Sequence, residues 1–272
     1  MIPSLLNEVC LKILAEYLLD PWAWPRESDL IVDLVSRIRS GLPAADRRVP
    51  ARLDGLQGSS KLLDVGGTVA RSLPRVRTEL KLAEDGIRVD VGIYRNQEIR
   101  CSFNHEGARD VNLRAFEDDV EALLEVKLCP DKYEFSGEHP CRWLADLLKL
   151  DDLARATTRG VLLLDTSLPL KTIGVAYKRG RNGATTLARD MGTEVAHADL
   201  PPWPIPDGGF RVVNQHGAFT FERVDAPPAE GLYLWGLALK GSWKPEFSGN
   251  LVPLLSEADV VPRCWSVTVS KD

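Results

Sequence analysis

Strict alternation of apolar and polar positions marks three segments of this chain as β-strands. In Gly86–Tyr94, Ile87, Val89, Val91 and Ile93 take one face, which predicts a strand with Asp90 on the other. In Val120–Leu128, Val120, Ala122, Leu124, Val126 and Leu128 form the core side. Glu125 and Lys127 then share the opposite face, because strand side chains repeat every second residue. Residues 75–82 alternate as well, with Val76, Thr78, Leu80 and Leu82 against Arg75, Arg77, Glu79 and Lys81. The turn-forming Ala83–Gly86 predicts a hairpin between this strand and the Asp90 strand. A loop of that length pairs Leu82 with Ile87 and sets Glu79 directly opposite Asp90, about 5 Å away on one face.

Helical spacing governs other segments. Leu5, Leu6, Val9, Ile13, Leu14, Tyr17 and Leu18 predict a helix over 4–19, broken by Pro21-Trp-Ala-Trp-Pro25. A second helix is expected from near Ser28 to Gly41, and a third over roughly 141–156, with Trp143, Leu144, Leu147, Leu148 and Leu153 as its stripe. Residues 42–70 read as loop with a short strand near Leu62–Val65, and 96–119 as a polar, irregular insertion. The continuous apolar run Gly160–Asp165 is typical of a strand buried on both faces. Strand, helix and strand at this spacing imply a parallel crossover.

The expected fold class is therefore α/β, a mixed sheet flanked by helices. Residues 1–200 are expected to form the main domain with its N-terminal helices. Residues 201–272, opening on Pro201-Pro-Trp-Pro-Ile-Pro206, read as a β-rich C-terminal extension packed on that domain. It should hold a hairpin over 210–224 and a strand at 231–239.

Composition narrows the class. With 44% hydrophobic and 27% charged residues, the chain has the make-up of a globular protein. No apolar run reaches the length of a membrane span, and the N-terminus lacks the pattern of a signal peptide. Five cysteines without close pairing point to a reducing, cytoplasmic setting. A net charge of −5 leaves nucleic-acid binding to a local basic surface. Basic groups cluster at Arg37, Arg39, Arg47, Arg48 and Arg52, at Arg71, Arg75 and Arg77, and at Lys178, Arg179 and Arg181.

An acid on one strand followed by Glu-x-Lys on a later one can hold a divalent metal beside a nucleophilic water. Two carboxylates as close as Glu79 and Asp90 would repel unless a cation or proton lay between them. The order of helix, Asp90 hairpin, Glu125-Val126-Lys127 strand, helix and buried strand resembles the restriction-endonuclease-like PD-(D/E)XK nuclease superfamily. The likeness spans residues 27–166.

That resemblance implies that Asp90 and Glu125 bind Mg²⁺, with Mn²⁺ able to substitute, and that Lys127 positions the attacking water. Glu79 matches a glutamate that some members carry on the preceding strand, and Glu27 one carried on the first helix. The substrate class implied is nucleic acid, DNA favoured over RNA, with defence against foreign DNA as a setting. A homodimer, or a protein partner encoded nearby, is a further expectation. Val89 stands where the family pattern has proline before the aspartate.

Other readings stay open at this level. Glu79-Leu80-Lys81 is a second Glu-x-Lys, with Asp64 as its upstream acid. Asp90, Glu125 and Lys127 could form the solvent face of a half-exposed sheet, in a non-catalytic binding or assembly module. Leu63-Asp-Val-Gly-Gly-Thr68 resembles the phosphate turn of actin-like sugar kinases. Cys101, His105, Cys129, His139 and Cys141 are zinc-ligand types without a Cys-x-x-Cys anchor.

Overall fold

Among the described residues, twelve strands join into one mixed sheet, in the order β2-β1-β5-β6-β3-β4-β7-β8-β11-β12-β10-β9. A computed structural model of the chain describes residues 1–20, 23–54, 69–82, 87–106, 110–129, 142–153, 155–165, 205, 207–214, 217–227, 230–240 and 260–270. The strands in chain order are β1 (Arg48–Asp54), β2 (Val69–Pro74), β3 (Val76–Leu82), β4 (Arg88–Tyr94), β5 (Ile99–Glu106), β6 (Asp110–Ala115), β7 (Val120–Cys129), β8 (Thr158–Asp165), β9 (Phe210–Asn214), β10 (Gly217–Val224), β11 (Gly231–Leu239) and β12 (Val260–Ser270). The helices are α1 (Ile2–Leu19), α2 (Glu27–Gly41) and α3 (Arg142–Asp152).

The centre of the sheet follows the hydrophobic pattern. β3 and β4 pair antiparallel with Leu80 opposite Val89, and the Leu82 N–H donates to Ile87 O at 2.8 Å, the register that alternation requires. β7 pairs antiparallel with β4 and parallel with β8, and α3 supplies the crossover. The strands after residue 201 continue the same sheet, because β11 runs parallel to β8.

Both faces of the sheet are covered. α1 and α2 bury Leu6, Ile13, Leu30, Leu34 and Ile38 in a cluster with Val91, Ala122, Leu124 and Val126. α3 buries Leu144, Leu147 and Leu150 in a second cluster with Leu123, Val161 and Leu163. Burying a side chain of the Val, Leu or Ile class contributes about 1.5–3 kcal/mol. β7 feeds both clusters and is therefore fixed from two sides. At its start the buried Arg75 guanidinium donates to Tyr94 O at 2.9 Å and Glu121 Oε2 at 2.7 Å, binding β3, β4 and β7 together.

Two segments depart from the hydrophobic reading. Arg48–Asp54, inside the Pro-, Gly- and Ser-rich stretch expected to be loop, is strand β1. Pro50 pairs with Ser72 in an antiparallel ladder all the same. Residues 96–119 are not irregular: β5 and β6 form an antiparallel pair between β1 and β3. A short apolar alternation lies inside that polar stretch, with Ile99, Cys101 and Phe103 in β5 and Val111, Leu113 and Ala115 in β6, and Ile99, Cys101 and Ala115 are buried in the cluster with α3. The short strand at Leu62–Val65, the Leu63–Thr68 turn, Asp64 and the Lys178–Arg181 cluster lie outside the described residues.

Candidate active site

β4 and β7 part company at the candidate site. Their ladder runs through Gly92↔Leu123 and Val91↔Leu124, and no pair is formed beyond it toward Asp90. The strand edge opened there carries the N–H groups of Val126 and Leu128, two residues apart and so pointing the same way. Both are bonded by carboxylates. Asp90 Oδ2 accepts from Val126 N at 2.8 Å, and Glu27 Oε2, at the start of α2, accepts from Leu128 N at 3.2 Å. Two acids thus stand where a neighbouring strand's carbonyls would otherwise be, which satisfies amides that could not be left bare in the interior.

A roll of β4 lets Asp90 reach its neighbour. Alternation predicts Val89, Val91 and Ile93 on one face, but Val91 and Ile93 pack in the cluster under α1 and α2, whereas Val89 packs in the cluster under α3. Asp90 lies at the crossover, where its side chain can reach across to β7. Opposite it, Glu79 has φ +50°, the left-handed region that β-strands avoid.

Glu125 and Lys127 share a face of β7 as alternation requires, but solvent does not cover that face. Glu125 is only 3% exposed, which removes the reading of a solvated sheet surface. Its carboxyl hydrogen-bonds to that of Asp90. Burial, followed by the Asp90 charge and that shared hydrogen bond, pushes the Glu125 pKa up to about 8. Lys149, on α3, opposes the shift: its Nζ contacts Glu125 Oε1 and donates to Arg88 O at 3.3 Å.

Lys127 Nζ lies 3.9 Å from Glu125 Oε2 and 3.2 Å from Asp146 Oδ2. Burial alone would lower the Lys127 pKa, but Asp146, Glu27 and Glu125 outweigh it and the net shift is upward. The pKa of Glu27 is also raised, chiefly by burial, against the Leu128 N–H and Lys127. The structure thus gathers Asp90, Glu125, Lys127 and Glu27, and adds Asp146 and Lys149.

Those last two were not singled out by sequence reasoning, which read α3 for its apolar stripe and its place after the Glu125 strand. A signal was present. At 100° per residue, Asp146 falls beside the stripe of Trp143, Leu147 and Leu150, and Lys149 follows it by three residues. Asp146 Oδ1 and Lys149 Nζ are 3.5 Å apart.

Glu79 does not join the group. Register counts it opposite Asp90, but the left-handed turn of its backbone leaves its side chain 63% exposed and paired with Arg88. Among the five zinc-ligand types only Cys101 has a described side chain, and it is buried.

Among the described residues, no group of three or more His, Cys, Asp and Glu side chains is arranged to hold a metal. The pair Asp90–Glu125 nonetheless fits one. Two buried carboxylates in mutual contact need a proton or a cation between them, and Mg²⁺ characteristically binds through one or two carboxylates while keeping several waters. No described helix is long and apolar enough to cross a membrane. No family model, curated protein or solved structure matches this chain, so a functional reading rests on the side chains at the β4–β7 fork.

Proposed function

We propose that the protein is a metal-dependent nuclease of the restriction-endonuclease-like PD-(D/E)XK kind, acting on DNA. One observation carries the reading: the Asp90 and Glu125 carboxyls meet where β4 leaves β7, and Lys127 follows Glu125 on the same face. Asp90 and Glu125 are the groups that would hold Mg²⁺. Bound there, the ion would supply positive charge to a phosphate oxygen and acidify a water.

The roles of the side chains follow from their surroundings. Glu125, its pKa raised to about 8, must lose its proton before it can ligate a cation. Lys127, with its pKa raised, stays protonated at neutral pH. It therefore donates hydrogen bonds to a water or a phosphate oxygen and is no general base. Asp146 aims it, at 3.2 Å from Nζ. Lys149 holds Glu125 in place through a contact that a bound cation would weaken.

A second reading has an observation of its own. Lys127 and Lys149 already balance Glu125 and Asp146, as a non-catalytic binding or assembly module of the same fold would require. Cleavage of plasmid, linear and single-stranded DNA and of RNA, with Mg²⁺, Mn²⁺ or EDTA, separates the two. Silence on all four substrates, with no metal-induced shift in melting temperature, would leave the module.

A further inference from the structure

The basic side chains that sequence groups together differ in what they face. Arg37 is held by Glu16 and Asp33, Arg52 meets Glu98, and Arg75 is buried against Glu121. Arg39 and Arg47 meet no carboxylate among the described residues. Arg39 Nη2 donates to Val76 O at 2.9 Å. Arg47 donates through Nε to Leu42 O at 3.1 Å and through Nη2 to Ser40 O at 3.2 Å. These bonds to backbone fix both guanidinium groups and leave further N–H donors on each, since a guanidinium carries five.

Both arginines line an open cleft of about 440 Å³ beside α2 and β3, with Ser36, Ser40 and Thr78 and an apolar contact at Val32. Guanidinium and hydroxyl groups without an acid make a donor set for anions, and the planar fork of arginine suits phosphate. The protein's net charge of −5 repels a polyanion at long range, so binding one calls for a concentrated local donor set of this type.

The cleft lies on the α2 side of the sheet, whereas Glu125 and Lys127 face α3. Thr78 pairs with Val91, the residue next to Asp90. Along α2, Val32 lies about 7.5 Å and Arg39 about 18 Å from Glu27, at 1.5 Å per residue.

We propose that this cleft binds backbone phosphates of a nucleic acid, with Arg39 and Arg47 as the principal contacts. The phosphate site does not rest on the nuclease reading. The hydroxyls and the apolar contact offer no base-reading geometry, so binding there is independent of sequence.

The test is equilibrium binding of the full chain to a labelled DNA duplex and its single strand, in EDTA, across a salt series. The pair Arg39→Gln/Arg47→Gln should weaken binding at least about tenfold and lower the slope of log Kd against log salt by about 1.5–2. Ser36→Glu/Ser40→Glu keeps both arginines and their carbonyl bonds but puts negative charge in the cleft. It should weaken binding similarly, and it decides the matter should the arginine pair fail to fold.

Affinity and slope unchanged in a folded variant of either kind would overturn the proposal, as would a mononucleotide or inorganic phosphate binding as tightly as the polymer. Arginine-dependent DNA binding by a protein that cuts nothing with Mg²⁺ keeps the cleft and removes the nuclease. Cutting that depends on Asp90, with DNA affinity indifferent to the cleft variants, does the reverse.

Discussion

Lys149 Nζ contacts Glu125 Oε1, whereas Lys127, two residues from Glu125 on its own strand, lies 3.9 Å away and turns to Asp146. The closest positive charge to the buried acid thus comes from helix α3. Glu125 and Lys127 point the same way, but a strand sets them two residues apart along its length, whereas α3 lies over that face of β7.

Replacing the two lysines by methionine should therefore have unequal effects. Lys149→Met leaves Glu125 buried without its close cation and should cost about 1–3 kcal/mol of stability at pH 9, where Glu125 is ionised. At pH 6, with Glu125 protonated, the cost should shrink. Lys127→Met should destabilise less at both values. Urea unfolding at the two pH values measures both, and equal losses for the two variants would refute the assignment.

Glu125 also sets a pH dependence in metal-free protein. Its ordinary pKa is 4.5 and the fold raises it to about 8. Between those values the folded protein binds a proton that the unfolded chain has lost, so stability falls as pH rises through the window. The change is on the order of a few kcal/mol. Glu125→Gln should flatten the fall and be the more stable protein near pH 8. A wild-type profile that rises from pH 5 to pH 8 in EDTA, with no flattening in the variant, would contradict the raised pKa.

Divalent cations should reverse that trend. Mg²⁺ or Mn²⁺ competes with the proton on the Asp90–Glu125 pair, so it should raise the melting temperature more at pH 8 than at pH 6. Asp90→Asn and Glu125→Gln should abolish the shift, and Lys127→Ala should retain it. Thermal scans over a metal titration would show this, and a shift surviving in Asp90→Asn would place the metal elsewhere.

Glu79 marks where strand counting fails. Register puts it opposite Asp90, yet its φ of +50° turns it out to solvent beside Arg88. Glycine adopts that backbone without the roughly 1 kcal/mol penalty of an L side chain. Glu79→Gly should thus stabilise the protein by up to about 1 kcal/mol, and Glu79→Gln should leave any nuclease activity within about twofold. A tenfold loss of activity in the glutamine variant would return Glu79 to the site.

How far the sequence was legible depends on whether an element buries one patterned face. β3, β4 and β7 each carry alternating apolar residues, and the Leu82–Ile87 register follows from them. β5 and β6 carry only three alternating apolar residues each (Ile99, Cys101, Phe103 and Val111, Leu113, Ala115) inside a polar stretch, too short a pattern to stand out although Ile99, Cys101 and Ala115 are buried. The acids Asp90 and Glu125 were legible because each interrupts an apolar strand. Asp146 and Lys149 were not, because polar residues flanking a helix stripe look like solvent-facing ones until the partner strand is known. The bonds from Val126 N–H to Asp90 and from Leu128 N–H to Glu27 depend on where β4 leaves β7, which no local pattern encodes.

The most direct test of the central claim is plasmid cleavage with Mg²⁺, Mn²⁺ or EDTA, comparing wild type with Asp90→Asn and Lys127→Ala. Asparagine keeps an oxygen for the Val126 N–H, so that variant should fold while losing the charge. Metal-dependent cutting by wild type, lost in both variants with their fold intact, is the predicted result. Cutting that persists in EDTA, or that survives Asp90→Asn, would contradict a metal-dependent nuclease centred on Asp90 and Glu125.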